Sequence, residues 1–188
     1  LVGDLKDYQR LGHLKYQPMP GGDLATRQPW RMALSYLLGS FGEIPGGLKC
    51  FAGIAEPDLH LVCQAMDRNI NTPLTSSCGR LFDAVASILG LRQVVSFEGQ
   101  AAMELEMLAD PGQSTFYPCT LSRRDGLIIC DPAEMVASIV KDHLAGVGAE
   151  RIAGCFHLSL AIMIEEVCAQ LHQQTGLKQV VLSGGVFQ

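Results

Sequence analysis

The stretch from Glu150 to Gly176 constrains the fold most. Ile152, Phe156, Leu160, Met163, Val167 and Leu171 recur along it at three- and four-residue spacing, the stripe of a long helix with one face in a core. Gly176 supplies its end. The chain then passes at once into Leu177-Lys178-Gln179-Val180-Val181-Leu182 and from there into Ser183-Gly184-Gly185. A long core helix that returns as an apolar strand belongs to an α/β architecture, and Leu177 to Leu182 is expected to be a central parallel strand. Glycines directly after such a strand let backbone amides approach a nucleotide closely, because no Cβ intervenes.

Punctuation and periodicity divide the rest. The first stretch, Leu1 to Asp23, ends in Pro18-Met19-Pro20-Gly21-Gly22-Asp23, which cannot be regular helix, and is expected to form a strand or two and a long loop. Pro29 suits the first turn of a helix from about Trp30 to Phe41. A second helix is expected from Pro57 to about Asn69, closed by Asn69, Asn71 and Pro73. A third starts behind Ser76 or Ser77 as N-cap and carries Leu81, Phe82, Val85, Ile88 and Leu89 on one face before Gly90. A short strand around Val94 and Val95 and a helix from Phe97-Glu98-Gly99-Gln100 to about Ala109 follow. Thr115 to Leu121 and Leu127 to Cys130 read as a hairpin turning at Arg123-Arg124-Asp125-Gly126. Pro132 opens a helix to about Ala145. The pattern is mixed α/β, helix-rich, with one part of its sheet poorly represented.

Composition excludes several classes. A chain of 188 residues with 48% hydrophobic residues suits about one domain with a sizeable core. Its net charge of -5 argues against a nucleic-acid backbone as partner. The longest apolar stretch, Leu158 to Ile164, falls far short of the roughly 20 residues of a membrane span, so no membrane partner and a cytoplasmic location are expected. The 7 cysteines never form C-x-x-C and read as buried reduced thiols. The histidines form neither H-x-x-x-H nor H-E-x-x-H, and no G-x-S-x-G, Walker or G-x-G-x-x-G motif occurs. His157 reads as a satisfied, partly buried core histidine.

Three features remain that bear on chemistry. On the third helix Gly79, Asp83, Ala86 and Gly90 share a face, so one carboxylate projects from a strip of small residues. The strip suits a close-lying ligand, and equally a tight helix contact with Asp83 in solvent. Glu98 and Gly99 open a helix whose N-terminus could meet an anion, or whose first turn merely places Glu98 at the positive dipole end. Ser183, Gly184 and Gly185 form the strand-end turn. Taken together, these suit an adenine nucleotide held by backbone, with a carboxylate for ribose hydroxyls.

Six motifs in order, Gly12-His13-Leu14-Lys15, Pro18-x-Pro-Gly-Gly-Asp23, Pro29-Trp30-Arg31-Met32-Ala33, Ser76-Ser77-x-Gly79-Arg80-Leu81-Phe82-Asp83-Ala84-Val85-Ala86, Phe97-Glu98-Gly99-Gln100-Ala101-Ala102 and Leu182-Ser183-Gly184-Gly185-Val186-Phe187-Gln188, resemble the C-terminal domain of the HypF carbamoyltransferases. The resemblance runs the length of the chain. It implies an actin-like ATPase fold with ribonuclease-H-like sheets, incomplete here, and a nucleotide site that includes Gly79, Asp83, Gly184 and Gly185. It also implies a reaction: ATP and carbamoyl phosphate give a carbamoyl-adenylate, whose carbamoyl group passes to the C-terminal cysteine of HypE for [NiFe]-hydrogenase maturation. HypE and the upstream domains of the same chain are the implied partners. A metal ion is implied for the full-length domain, with its H-x-x-x-H ligands upstream of Leu1 and a later aspartate beyond Gln188. No residue of the chain is implied as a catalytic nucleophile.

Residues 1–188 are thus expected to be part of that domain, truncated at both ends, with neither metal binding nor full turnover of its own. A kinase of the same superfamily should show a phosphate-loop strand pair, which is not visible. A non-catalytic nucleotide-binding or scaffold domain stays open. The roles of the Pro20-Gly21-Gly22-Asp23 loop and of Arg31 also stay open between a ligand or partner contact and a plain turn with a surface cation.

Overall fold

A computed structural model describes residues 1–187. Two pairs of short strands, β1 (Val2–Gly3) with β2 (Tyr8–Gln9) and β4 (Gln17–Pro18) with β5 (Leu74–Thr75), flank a three-stranded sheet. That sheet has the order β3 (Gly12–Leu14), β7 (Leu127–Asp131), β6 (Thr120–Arg124). It is mixed: β3 runs parallel to β7, with Gly12 opposite Ile128, and β6 runs antiparallel to it. The β6–β7 loop is Asp125-Gly126, both at positive φ (51° and 80°), the geometry of a two-residue hairpin turn whose twist matches that of its strands.

The helices form the core. They are α1 (Leu24–Arg27), α2 (Pro29–Phe41), α3 (Glu56–Asp67), α4 (Cys78–Ile88), α5 (Gln100–Leu108), α6 (Ala133–Leu144) and α7 (Ala149–Thr175). The α2–α4 seam is the most extensive contact between elements, α5 and α6 pack beside it, and both lean on α7. Met32, Leu34, Leu37, Leu81, Ile88, Met135, Ile139, Ile152 and Phe156 are fully buried there. Each such side chain contributes about 1.5–3 kcal/mol of burial. Phe82 meets Phe156 edge to face, centroids 5.0 Å apart, locking α4 onto α7.

Helix ends follow local chemistry. Gly90 ends α4 at φ 81°, its N–H donating to Ser87 O at 2.9 Å while Leu91 N–H donates to Ala86 O at 2.9 Å. This is the paired bonding of a Schellman end, which requires a residue that tolerates positive φ. Asn69 plays the same part after α3, with φ 53° and Ile70 N–H on Ala65 O at 2.8 Å.

Three expectations need correction. Val94 and Val95 form no strand: Val95 N–H donates to Arg27 O at 3.0 Å, a single bond with no ladder on either side. Thr115 to Cys119 precede the hairpin without joining it. Tyr117 N–H is taken instead by Ser159 Oγ at 2.7 Å, and Thr115 Oγ1 lies 3.2 Å from Cys155 Sγ, which binds the segment to α7. Leu177 to Leu182 is not a strand but an exposed, irregular segment after Gly176. No neighbouring strand lies along it among the described residues, and strand propensity without a partner orders nothing.

α7 is also the one helix among the described residues long and apolar enough to cross a membrane by length and composition. Its N-terminal half, from Ile152 to Met163, is sunk into the core.

Candidate functional site

Gly79 and Asp83 lie one turn apart on α4. The carboxylate that the spacing left open between ligand and solvent is neither free nor exposed: Asp83 is 3% exposed. Arg80 Nη2 stands 3.0 Å from Asp83 Oδ2, an i, i+3 ion pair whose side chains are 11% and 4% exposed. The N–H is out of line, so Oδ2 keeps no hydrogen bond, and neither does the buried Arg80 Nη1. Burial raises the Asp83 pKa to about 6, and Arg80 pulls it back down only in part. Across the seam on α2, the Tyr36 hydroxyl is also buried without a partner, with Cys78 and the Arg80 guanidinium in its neighbourhood. A Cβ on Gly79 would meet only Ser77 Oγ, at 3.6 Å, so the backbone there is bare on that side.

Glu98 and Gly99 sit at the start of α5. Gly99 takes φ 79° at the N-cap position, and the Gln100 side chain reaches back so that its Oε1 accepts Ser96 N–H at 2.7 Å. Glu98 also lines a cleft of about 690 Å³ together with Thr26, Arg27, Val95, Ser96 and Phe97. Phe97 is 55% exposed. Asp83 opens on neither this cleft nor a second one of about 500 Å³ beside α3 at Leu59, His60 and Cys63. α4 packs on α5, so these first two pairs of residues share one helix pair.

Ser183, Gly184 and Gly185 do not join them. All three are exposed, a Cβ on either glycine would meet nothing within 4 Å, and among the described residues the one backbone bond there is Phe187 N–H to Gly184 O at 3.1 Å. The turn leads into a short 3-10 segment, Gly185–Phe187, and Gln188 lies outside the described residues.

Other residues receive a structural account. Gly21 (φ 89°) and Gly22 (φ 56°) turn the Pro20–Asp23 loop under Asn71, with Gly21 N–H on Asn71 O and Met19 N–H on Pro73 O, both at 2.8 Å. Arg31 lies over the Trp30 ring at 4.7 Å and donates through Nε to Gln28 Oε1 at 2.6 Å. His157 faces Ala153 O through Nδ1 at 2.7 Å and leaves a buried Nε2 without a partner. It is half satisfied.

Burial raises the thiol pKa of Cys78 and Cys130 to about 11 and of Cys119 to about 12, so these groups stay protonated and poorly nucleophilic at neutral pH. Among the described residues no three His, Cys, Asp or Glu side chains gather as metal ligands.

Arg80 went unassigned in the sequence. Its signal was present, since a cation three residues before an aspartate on one helix face is placed to pair with it.

Along residues 1–188 the chain matches the family described as carbamoyltransferase, Kae1-like domain, second subdomain. It is 39% identical over 194 residues to the carbamoyltransferase HypF of Rhodobacter capsulatus, covering 100% of this chain and 24% of that protein. It is 38% identical over 189 residues to a carbamoyltransferase HypF homolog of Cupriavidus necator, covering 96% of this chain and 47% of that one. A solved full-length HypF in its phosphate- and nucleotide-bound form superposes with a TM-score of 0.91 at 35% identity, over 99% of this chain and 24% of that one. The HypF of T. kodakarensis superposes at 0.77 with 29% identity, over 95% of this chain. The chain thus spans from about a quarter to about half of the length of these relatives.

Proposed function

Because the chain belongs to the HypF carbamoyltransferase family, as the second subdomain of its Kae1-like domain, we propose that it forms one part of a site that holds carbamoyl-adenylate for transfer to a protein thiol. The observation that carries this reading is the end-to-end match to a full-length HypF solved with phosphate and nucleotide bound.

Hydrolysis of carbamoyl phosphate releases inorganic phosphate and leaves carbamate, whose oxygen attacks the α-phosphorus of ATP so that pyrophosphate leaves and carbamoyl-adenylate forms; the acceptor is the C-terminal cysteine thiolate of HypE. The sulfur attacks the carbamoyl carbon, a C–S bond forms, the C–O bond to the AMP phosphate breaks, and AMP leaves with that electron pair. Adenylation makes the carbonyl a good acyl donor, so the domain has only to hold the adenylate and present its carbonyl. It needs no nucleophile of its own, in keeping with the protonated buried thiols of Cys78, Cys119 and Cys130.

In this reading Gly79 and Asp83 take the ribose, the Glu98-Gly99 helix start borders the nucleotide, and the Ser183-Gly184-Gly185 amides face it in the full-length protein. Leu177, Val180, Val181, Leu182, Val186 and Phe187 are exposed apolar groups. We assign the remaining domains of the same polypeptide to cover them, with residues 1–188 as a partial C-terminal domain acting in the cytoplasm as part of the hydrogenase maturation pathway. Metal binding is assigned to parts of the domain outside this chain.

The test is nucleotide turnover by the full-length protein. ATP should be cleaved to AMP and pyrophosphate only when carbamoyl phosphate is supplied. Cleavage indifferent to carbamoyl phosphate, or none with both present, overturns the reading.

A further inference from the structure

We propose that Arg10, Tyr16 and Ser76 form a seat for the terminal α-carboxylate of the protein that accepts the carbamoyl group. The inference rests on the reading above, which supplies a C-terminal cysteine as acceptor, and adds the residues that recognise its chain end.

Arg10 directly follows β2 and is exposed. Its Nη2 donates to Ser76 Oγ at 2.6 Å and its Nη1 to Tyr16 Oη at 3.1 Å, and the guanidinium stands 5.8 Å from the centre of the Tyr16 ring. His13 packs on the same ring, centroids 4.7 Å apart, and is itself fixed by Nδ1–H on Leu14 O at 2.8 Å. Among the described residues no acid lies within ion-pair distance of Arg10, whereas the nearby Lys15 is already paired with Asp131 at 2.6 Å.

A guanidinium held only by neutral hydroxyls is a fixed, uncompensated cation. Both hydroxyl oxygens accept from Arg10, so the protons of Ser76 Oγ and Tyr16 Oη stay available for donation, and Arg10 itself keeps three of its five N–H groups. Donors of three kinds therefore meet at one place, and a carboxylate accepts from all of them with charge-assisted bonds. Tyr16 is 45% exposed, so the seat is a surface that the end of a protein chain can reach. Ser76 stands three residues before Gly79, where the reading above places the ribose. In a C-terminal cysteine only Cα and Cβ separate the carboxyl carbon from the sulfur, so a carboxylate held here keeps the thiolate beside the adenylate.

HypE is prepared by ligation with its terminal cysteine as the free acid or as the carboxamide, and S-carbamoylation by the full-length protein with ATP and carbamoyl phosphate is followed by mass spectrometry. With the carboxamide, kcat/KM should fall at least about tenfold, equivalent to about 1.4 kcal/mol, chiefly through KM. Removing the neighbouring negative charge lowers the thiol pKa, so intrinsic reactivity predicts the opposite order. Arg10→Gln should reduce the acid-to-amide ratio to about twofold or less, and Tyr16→Phe should reduce it part-way. Equal kcat/KM for the two acceptors with the unaltered protein, or an undiminished ratio in Arg10→Gln, overturns the proposal and leaves the carbamoyl-adenylate reading standing. Carbamoylation of neither acceptor by the unaltered protein overturns both. Both substituted residues lie on the surface, and should Arg10→Gln fold poorly, an undiminished ratio in Tyr16→Phe overturns the proposal in its place.

Discussion

Asp83 is a buried carboxylate, and Arg80, the one counter-charge beside it among the described residues, is misaligned for a hydrogen bond. The Asp83 pKa stands at about 6 in the folded chain against an ordinary value of 3.8, with burial as the cause. The native state therefore holds a proton more firmly than the unfolded chain. Between roughly pH 4 and 6 the native state binds more protons, so stability falls as pH rises through that window. The full shift corresponds to about 3 kcal/mol. Asp83→Asn removes this dependence. Denaturant titrations at pH 7 and pH 5 should show the parent chain gaining about 1 kcal/mol on the variant at the lower pH. Parallel behaviour of the two proteins would mean that Asp83 is solvated. At this scale the sequence displayed the Gly79–Asp83 face and the three-residue spacing of Arg80 from Asp83 but not their burial, because spacing along one helix says nothing about how far α2 covers it.

Helices and turns carry their own instructions. Gly90, Asn69 and the Asp125-Gly126 turn stand where the backbone needs positive φ, and each is visible in the sequence because the bonds involved span only a few residues. The strands expected at Val94-Val95 and at Leu177 to Leu182 fail for the opposite reason: their local preference is real and their partners are missing. α7 adds a contact that no periodicity reveals. Gly154 lies on its buried face, where a Cβ would run into the Asp110 carbonyl oxygen and come within 2.7 Å of Gln113 Cγ. Helix propensity alone favours Gly154→Ala by about 1 kcal/mol. The close approach reverses the sign, and the substitution should destabilise the chain by about 1–3 kcal/mol with helical circular dichroism at low temperature unchanged. A higher urea midpoint for the alanine variant would show that α7 does not lie against the Asp110–Gln113 loop.

Over the whole molecule, order is uneven. The core gathers α2, α4, α5, α6 and the first half of α7, whereas residues 177–187 are exposed throughout. Ending the chain after Gly176 should therefore change the stability of the isolated chain by no more than about 0.5 kcal/mol. A loss of several kcal/mol, read by thermal or chemical denaturation, would show that this segment packs on the core after all. The sequence by itself determined six of the helices, their ends, the hairpin turn and, through six motifs in order, the family. These rest on bonds and stripes within a few residues, or on side chains that can be compared one by one. Only the tertiary structure decided that Gly12 pairs in parallel with Ile128, that Arg80 and Asp83 are buried together on α4, and that Glu98 shares a cleft with Arg27. Those relations join residues far apart in the chain, and burial, which sets their charges and their missing hydrogen bonds, comes into being only when the helices close on one another.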